Sequence, residues 1–233
     1  RQPRHPHHRA IDDRPGGHGG GVRTVNPQRY DDGRRLLARV AGLLYDRRLT
    51  ELVGGNMSLR LGDAVVMTPT KASETRGWRL AAADTLVQRL DGELLVGEEA
   101  MISRESGIHM RLYRAYPDVG CIFHLHMPEA IAAGVARWVP GVVADTAERY
   151  GAAVVVLERD LRAQTEPHDA RAVELLGQVS RVEGAIAIGS MHGTFGVAAD
   201  LATNVRAADI FRQRLEMDLL RARLRRARAG GAA

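Results

Sequence analysis

Apolar positions along the chain change period several times, and each change marks an element. From Asn26 to about Tyr45, the residues Tyr30, Leu36, Leu37, Val40, Leu43 and Leu44 recur at helical spacing and predict an amphipathic helix. The glycine turn Gly54-Gly55-Asn56 is followed by two β-prone runs, Met57–Leu61 and Ala64–Thr68. These predict a hairpin around Gly62-Asp63. A second hairpin is expected where Asp84–Leu90 and Glu93–Leu95 flank Asp91-Gly92, the strongest short turn signal in the chain. A helix from about Ser103 to Tyr116 stops before Pro117, and the run Cys121–His126 then reads as a strand. Pro128 can start a short helix to Val135. Further on, Ala152–Leu157 reads as a strand and Asp169–Val179 as a helix. Ala185–Ile188 and Thr194–Val197 are strands that bracket His192. A long terminal helix from about Asp200 to Arg226 carries Leu201, Val205, Ala208, Ile210 and Leu215 in its apolar stripe. Strands and helices mix without regular βαβ alternation. The expected fold is therefore an α/β class, three-layer α/β/α single domain with a largely antiparallel central sheet.

Residues 1–25 are poor in hydrophobic residues and rich in Gly, Pro, His and Arg, which predicts a disordered leader. The domain is expected over 26–227, with 228–233 as a flexible tail. A chain of 233 residues suffices for one sizeable α/β domain. No apolar run is long enough for a membrane span, so no membrane partner is expected. One cysteine, Cys121, excludes an intrachain disulfide framework and fits a reducing, cytoplasmic setting. The net charge of +5 lies largely in the arginine-rich ends, and aromatic content is only 4%. Nucleic acid is thus not an expected partner, because stacking platforms interleaved with basic residues are missing.

Chemistry concentrates in three segments. On a strand, His124 and His126 point to one face, which makes half of a metal site. Taken alone, the motif also fits two polar residues at a strand end. The distribution of the histidines argues for more. Of nine, His5, His7, His8 and His18 lie in the leader, and only His168 otherwise falls outside the segments holding His109, His124, His126 and His192. His192, in Ser190-Met191-His192-Gly193, is the best candidate for a third ligand. Lys71 is the only lysine, so amine-based Schiff-base chemistry has a single possible carrier, and the composition leans towards metal chemistry.

Several collinear motifs resemble those of the class II aldolase/adducin family. They are Gly55-Asn56-Met57-Ser58-Leu59-Arg60, Met67-Thr68-Pro69-Thr70, Ser103-Arg104-Glu105 with His109, Tyr113 through Pro117 to His124 and His126, and His192-Gly193. The resemblance runs from about Asn26 to Leu220. It implies a divalent metal, usually zinc, on His124, His126 and His192, with Mn2+, Co2+ and Fe2+ as alternatives. It also implies Glu105 as general base, and substrate or phosphate contacts from Asn56, Thr70 and Ser103; Lys71 and Arg104, which depart from the pattern, are expected to grip an anion by their charge. His109, one turn after Glu105 on the same helical face, is expected to support the site or pack rather than ligate. The implied activity is an aldolase-type lyase, cleaving or joining a small hydroxylated carbonyl compound with an anionic tail, a sugar phosphate or sugar acid, through an enediolate. A 4-epimerase is the nearest alternative, and a non-catalytic adducin-like interaction domain or an iron-dependent oxygenase are alternatives of other classes. The implied assembly is a homotetramer with sites at subunit interfaces.

Three positions depart from the family pattern. Val53 replaces a hydroxyl residue, Lys71 a glycine and Arg104 a second serine. The family's tyrosine proton donor after His126 has no clear counterpart, and Asp145, Glu148 and Tyr150 are the candidates for a second acid or base.

Overall fold

A computed structural model describes residues 27–138, 153–156, 184–189 and 192–230. The expected leader, the helix over 169–179, His168, and the acid/base candidates Asp145, Glu148 and Tyr150 lie outside these residues.

After a 3-10 turn (Pro27–Tyr30), helix α1 spans Asp31–Asp46. Its buried stripe is Leu37, Val40, Ala41 and Leu44, at the i, i+3, i+4, i+7 spacing of a helix face. Leu36 and Leu43 were expected in that stripe but are exposed. A helix turns 100° per residue, so the inward face centred on Leu37, Ala41 and Leu44 leaves Leu36 and Leu43 at its exposed margin. The strands are β1 (Asn56–Leu61), β2 (Ala64–Met67), β3 (Leu86–Arg89), β4 (Leu94–Val96), β5 (Cys121–Leu125), β6 (Ala153–Val156), β7 (Ala185–Gly189) and β8 (Gly193–Ala198). Both predicted hairpins form. The remaining helices are α2 (Ala72–Arg76), α3 (Ser106–Ala115), α4 (Pro128–Val135, with proline in its first turn) and α5 (Leu201–Gly230).

Helix α1 begins at Asp31 rather than Asn26, after the 3-10 turn, and two further boundaries differ from expectation. Helix α3 begins at Ser106 rather than Ser103, because Ser103–Glu105 form the turn that enters it. Helix α5 runs to Gly230, beyond the expected 226. Its start is fixed by Asp200, whose Oδ1 accepts from Thr203 N–H at 2.9 Å. Its residues 221–229 are all exposed.

The strands form one sheet in the order β4-β3-β2-β1-β5-β8-β7-β6, antiparallel throughout except for the parallel pair β6–β7. The period of 2 along each strand sends alternate side chains into different layers. On β5, Cys121, Phe123 and Leu125 join Met57 and Leu59 of β1 in a core shared with α1, α4 and α5. Ile122 on β5 and Phe195 and Val197 on β8 face the opposite way, into a core shared with Ile108, Leu112 and Tyr113 of α3. The three-layer α/β/α architecture is as the sequence predicts. Strand β5 is buried on both faces, which is why it reads as a continuous apolar run broken only by His124.

Candidate metal centre

The register of the three central strands builds the site. Asn56 on β1 pairs with His124 on β5, and His124 pairs with Phe195 on β8. These three therefore stand in one row on the α3 side of the sheet. His126 follows two residues after His124, just past the end of β5, and His192 immediately precedes β8. One ligating nitrogen from each of His124, His126 and His192 lies within 4.8 Å of the others. A four-coordinate ion at about 2.1 Å from its ligands holds them about 3.4 Å apart, so the cluster is of the right size.

Each ring is oriented by its surroundings. His124 is fully buried, and its Nδ1 donates to the Thr194 carbonyl at 3.0 Å. That bond fixes the tautomer and leaves Nε2 as the free lone pair, the usual arrangement behind a ligating histidine. The His124 ring is stacked between two others: His192 at 5.1 Å with planes 7° apart, and Phe195 at 4.3 Å with planes 16° apart. The Nε2 atoms of His124 and His126 approach to 2.9 Å, so two nitrogens aim at one small space. Burial lowers the His124 pKa to about 4. The ring is thus neutral at physiological pH, the form a metal needs.

The loops leave room for these rings only because of two glycines. Gly54 (φ +81°) would drive a Cβ into the His126 ring, and Gly193 (φ +113°) would drive one into the Leu125 carbonyl oxygen. Both angles lie where side chains are also disfavoured.

Glu105 sits at the entry to α3 but does not cap it, since its carboxylate turns toward the histidines. Oε1 accepts from His192 Nε2 at 2.9 Å, and Oε2 lies 3.3 Å from His124 Nε2. Oε2 also accepts from Asn56 Nδ2 at 2.6 Å. Ser103 Oγ accepts from the Glu105 backbone N–H at 3.3 Å, which braces the turn. Burial pushes the Glu105 carboxyl up, but the His192 hydrogen bond and the fields of His124, His192 and His109 together outweigh it. The carboxyl is held at about 2 and is ionised at neutral pH.

A cavity of about 570 Å³ opens onto this cluster. Every residue expected to contact substrate (Asn56, Thr70, Lys71, Ser103, Arg104) lines it, together with Glu105, His126 and His192. Val53 lines it as well. His109 is outside the three-nitrogen set. Its Nδ1 lies 2.7 Å from Ser58 Oγ, which in turn lies 2.8 Å from Tyr113 OH, and burial lowers its pKa to about 3. It braces the sheet against α3 beneath the site. Phe195 and the Thr194 carbonyl were missed by the sequence reading. An aromatic residue three after the histidine of a His-Gly turn was the one available signal, and it is a weak one.

Known proteins share this fold. The chain is 26% identical over 199 residues to methylthioribulose-1-phosphate dehydratase of Sorangium cellulosum (strain So ce56), covering 79% of this chain and 90% of that one. It is 30% identical over 93 residues to L-fuculose phosphate aldolase of Methanocaldococcus jannaschii, which covers 40% of this chain and 48% of that one. Other relatives are decarboxylases. The solved structure of L-fuculose-1-phosphate aldolase from Thermus thermophilus superposes with a TM-score of 0.64 at 22% identity, covering 84% of this chain and 97% of that chain. Residues 35–219 match the model of the class II aldolase and adducin N-terminal domain, and the chain belongs to that family.

Proposed function

We propose that this protein is a divalent-metal-dependent lyase of the aldolase type, acting on a small hydroxylated carbonyl compound with an anionic tail, a sugar phosphate or related sugar acid. The observation that carries the reading is the meeting of an ionised carboxylate with the histidine cluster: Glu105 lies 2.9 Å from His192 and 3.3 Å from His124. His124, His126 and His192 would hold the ion, which we take to be zinc from the all-imidazole donor set. Such an ion supplies a Lewis acid on a carbonyl oxygen, stabilising the negative charge that develops beside it.

The chain's own residues do the rest. Glu105 removes the proton from the carbon next to the carbonyl in the aldol direction, and returns it to that carbon in the cleavage direction. Asn56 holds the carboxylate by one oxygen and so fixes its reach. Asn56, Thr70, Lys71, Ser103 and Arg104 receive the substrate's tail in the cavity wall. A proton donor for the other fragment is sought among Asp145, Glu148 and Tyr150. The long match to a dehydratase supports a second reading, because losing water beside a carbonyl begins with the same proton removal. A purely structural domain would not need Glu105 turned away from its own helix and into the histidines.

The proposal extends to assembly and setting. Exposed Met217, Leu219, Leu220 and Leu224 on α5 fit burial against neighbouring chains in a homotetramer. A monomer by light scattering at micromolar concentration contradicts that assembly. No helix among the described residues is long and apolar enough to cross a membrane, and the buried free thiol of Cys121 fits a cytoplasmic setting.

The test is a panel of sugar phosphates and sugar acids assayed for cleavage and dehydration, with and without chelator. Glu105→Gln is run beside the wild type. Turnover should vanish on chelation, and Glu105→Gln should keep its metal but lose about 10²–10⁴ in kcat. Wild-type turnover by Glu105→Gln on a chelator-sensitive substrate rejects Glu105 as the base.

A further inference from the structure

Helix α2 ends in a reversal that glycine only half explains. Gly77 (φ +52°) and Trp78 (φ +62°) follow it in the left-handed region, one after the other. Glycine is at home there, but a bulky residue with a Cβ is an outlier. Backbone bonds close the turn, from Gly77 N–H to the Ser73 carbonyl and from Arg79 N–H to the Arg76 carbonyl, both at 2.9 Å. Arg79 then bonds to Asp46 at the end of α1. The reversal leaves the Trp78 ring fully buried. Strain of this kind gathers at functional sites.

What the ring can do follows from what it touches. Glu51–Gly55 forms neither helix nor strand, and its outer side chains Leu52 and Val53 are exposed. On the inner side, the Trp78 Nε1–H donates to the Glu51 carbonyl at 2.7 Å. An indole has one donor and no acceptor, so this bond is its whole polar reach. At the other end of the segment, a Cβ placed on Gly55 would stand 3.5 Å from the Trp78 ring and 2.9 Å from the His124 carbonyl oxygen. One placed on Gly54 would run into the His126 ring. The segment is thus wedged between the indole and the end of β5, with Gly54 against an imidazole of the cluster.

Resting on the reading of His124, His126 and His192 as metal ligands, we infer that Trp78 is a positioning residue for the metal centre. Its indole pins Glu51–Gly55 against β5, and the pinned segment holds the His126 imidazole toward His124 and His192. His124 needs no such support, because it stands within the strand and bonds to the Thr194 carbonyl. His126 lies past the end of β5. Phenylalanine would fill most of the same space without gripping the Glu51 carbonyl, and that grip is what the left-handed turn maintains.

The experiment is a titration with zinc in competition with a chromogenic chelator, well below Tm, on wild type, Trp78→Phe, His126→Ala and the double variant. Trp78→Phe should bind zinc about tenfold more weakly, as groups that orient a ligand do. In the His126→Ala background the same change should alter affinity by less than about twofold, because the support has lost what it supports. A packing role alone would lower Tm and leave the zinc affinity of the folded protein as it was. A second measurement needs no change at Trp78. Coupling is reciprocal, so if opening the indole bond weakens zinc about tenfold, saturating zinc slows exchange of the Trp78 Nε1 proton by the same factor. NMR reads that exchange, with Trp138→Phe to assign the signals of the two tryptophans. Three results overturn the inference: wild-type zinc affinity in Trp78→Phe, the full loss persisting in the His126→Ala background, or indole exchange indifferent to bound zinc. Each of these leaves the metal reading intact, since zinc is still bound. A wild type that takes up no zinc rejects the metal reading instead. The pin is then decided in metal-free protein, where Trp78→Phe should speed amide exchange at Gly54 and His126, and unchanged exchange rejects the pin as well.

Discussion

The two faces of strands β1, β5 and β8 are a few ångström apart and share one backbone, yet they do different work. On one face Met57, Phe123 and Leu125 pack against α1, α4 and α5. On the other, Asn56, His124 and Phe195 stand in a row beneath α3. The apolar face makes the strands rigid by excluding water. The polar face uses that rigidity to hold a carboxylate and three imidazoles at fixed separations. Only His124 stands within a strand; His126, His192 and Glu105 sit one residue outside the ends of β5, β8 and α3, so short connections to rigid elements limit how far each can move. Substitutions on adjacent residues of β5 should therefore fail in different ways.

The sharpest contrast is His124→Ala against Phe123→Ala. On the proposed metal site, His124→Ala should abolish metal binding and activity together, because the Thr194 bond orients its Nε2 toward the other two imidazoles. Phe123 is fully buried, and its replacement by alanine should cost about 3–5 kcal/mol of stability. The folded fraction should still load metal. Metal content and denaturant melts on both variants check the pair. Loss of metal from a folded Phe123→Ala protein would break the separation between the faces.

A smaller effect is expected at Phe195, which belongs to the polar face only as a support. Phe195→Leu removes the flat surface against which His124 stacks, and metal affinity should fall about 10–100-fold with little change in fold. A competition titration with a chromogenic chelator measures it. Unchanged affinity would mean that the Thr194 bond alone orients the ring.

Acid should reveal the same asymmetry in metal-free protein. Burial lowers His124 to about 4 and His109 to about 3 from an ordinary value of 6.5. The unfolded chain therefore takes up protons below pH 6.5 that the folded chain refuses. Stability from these groups is complete above pH 6.5 and is lost as pH falls toward 4. Glu105, held at about 2 from 4.5, adds a loss of the same sign between pH 4.5 and 2. Tm followed from pH 7.5 to 4 should fall, and should fall less steeply in His109→Gln. A flat profile would contradict the burial of neutral imidazoles.

The row of site residues was only partly legible in the sequence. Period 2 put His124 and His126 on one face, and glycine beside His192 marked a tight turn. The hairpins at Gly62-Asp63 and Asp91-Gly92 were readable because turn chemistry is local. The partners of those residues were not readable, since they depend on register between strands about 70 residues apart. Thr194 offers His124 a backbone carbonyl, which no side-chain pattern reports. The spacing put His109 on one helical face with Glu105, but Glu105 precedes α3, and the His109 ring lies 2.7 Å from the Ser58 hydroxyl that β1 brings to it. Leu36 and Leu43 were placed inside because apolar neighbours in sequence give no sign of which one a single helix face can take. The alternation of β5 side chains between two cores was hidden for a related reason: both faces are covered, so the apolar run shows no polar side.

The central claim is that the polar face holds one divalent ion on three histidines, and X-ray absorption at the metal edge tests it most directly. The account predicts one ion per chain in the wild type, with an imidazole nitrogen shell at about 2.0–2.1 Å that is absent from His124→Ala. A wild-type protein that takes up no divalent ion, or an identical nitrogen shell in His124→Ala, would contradict it.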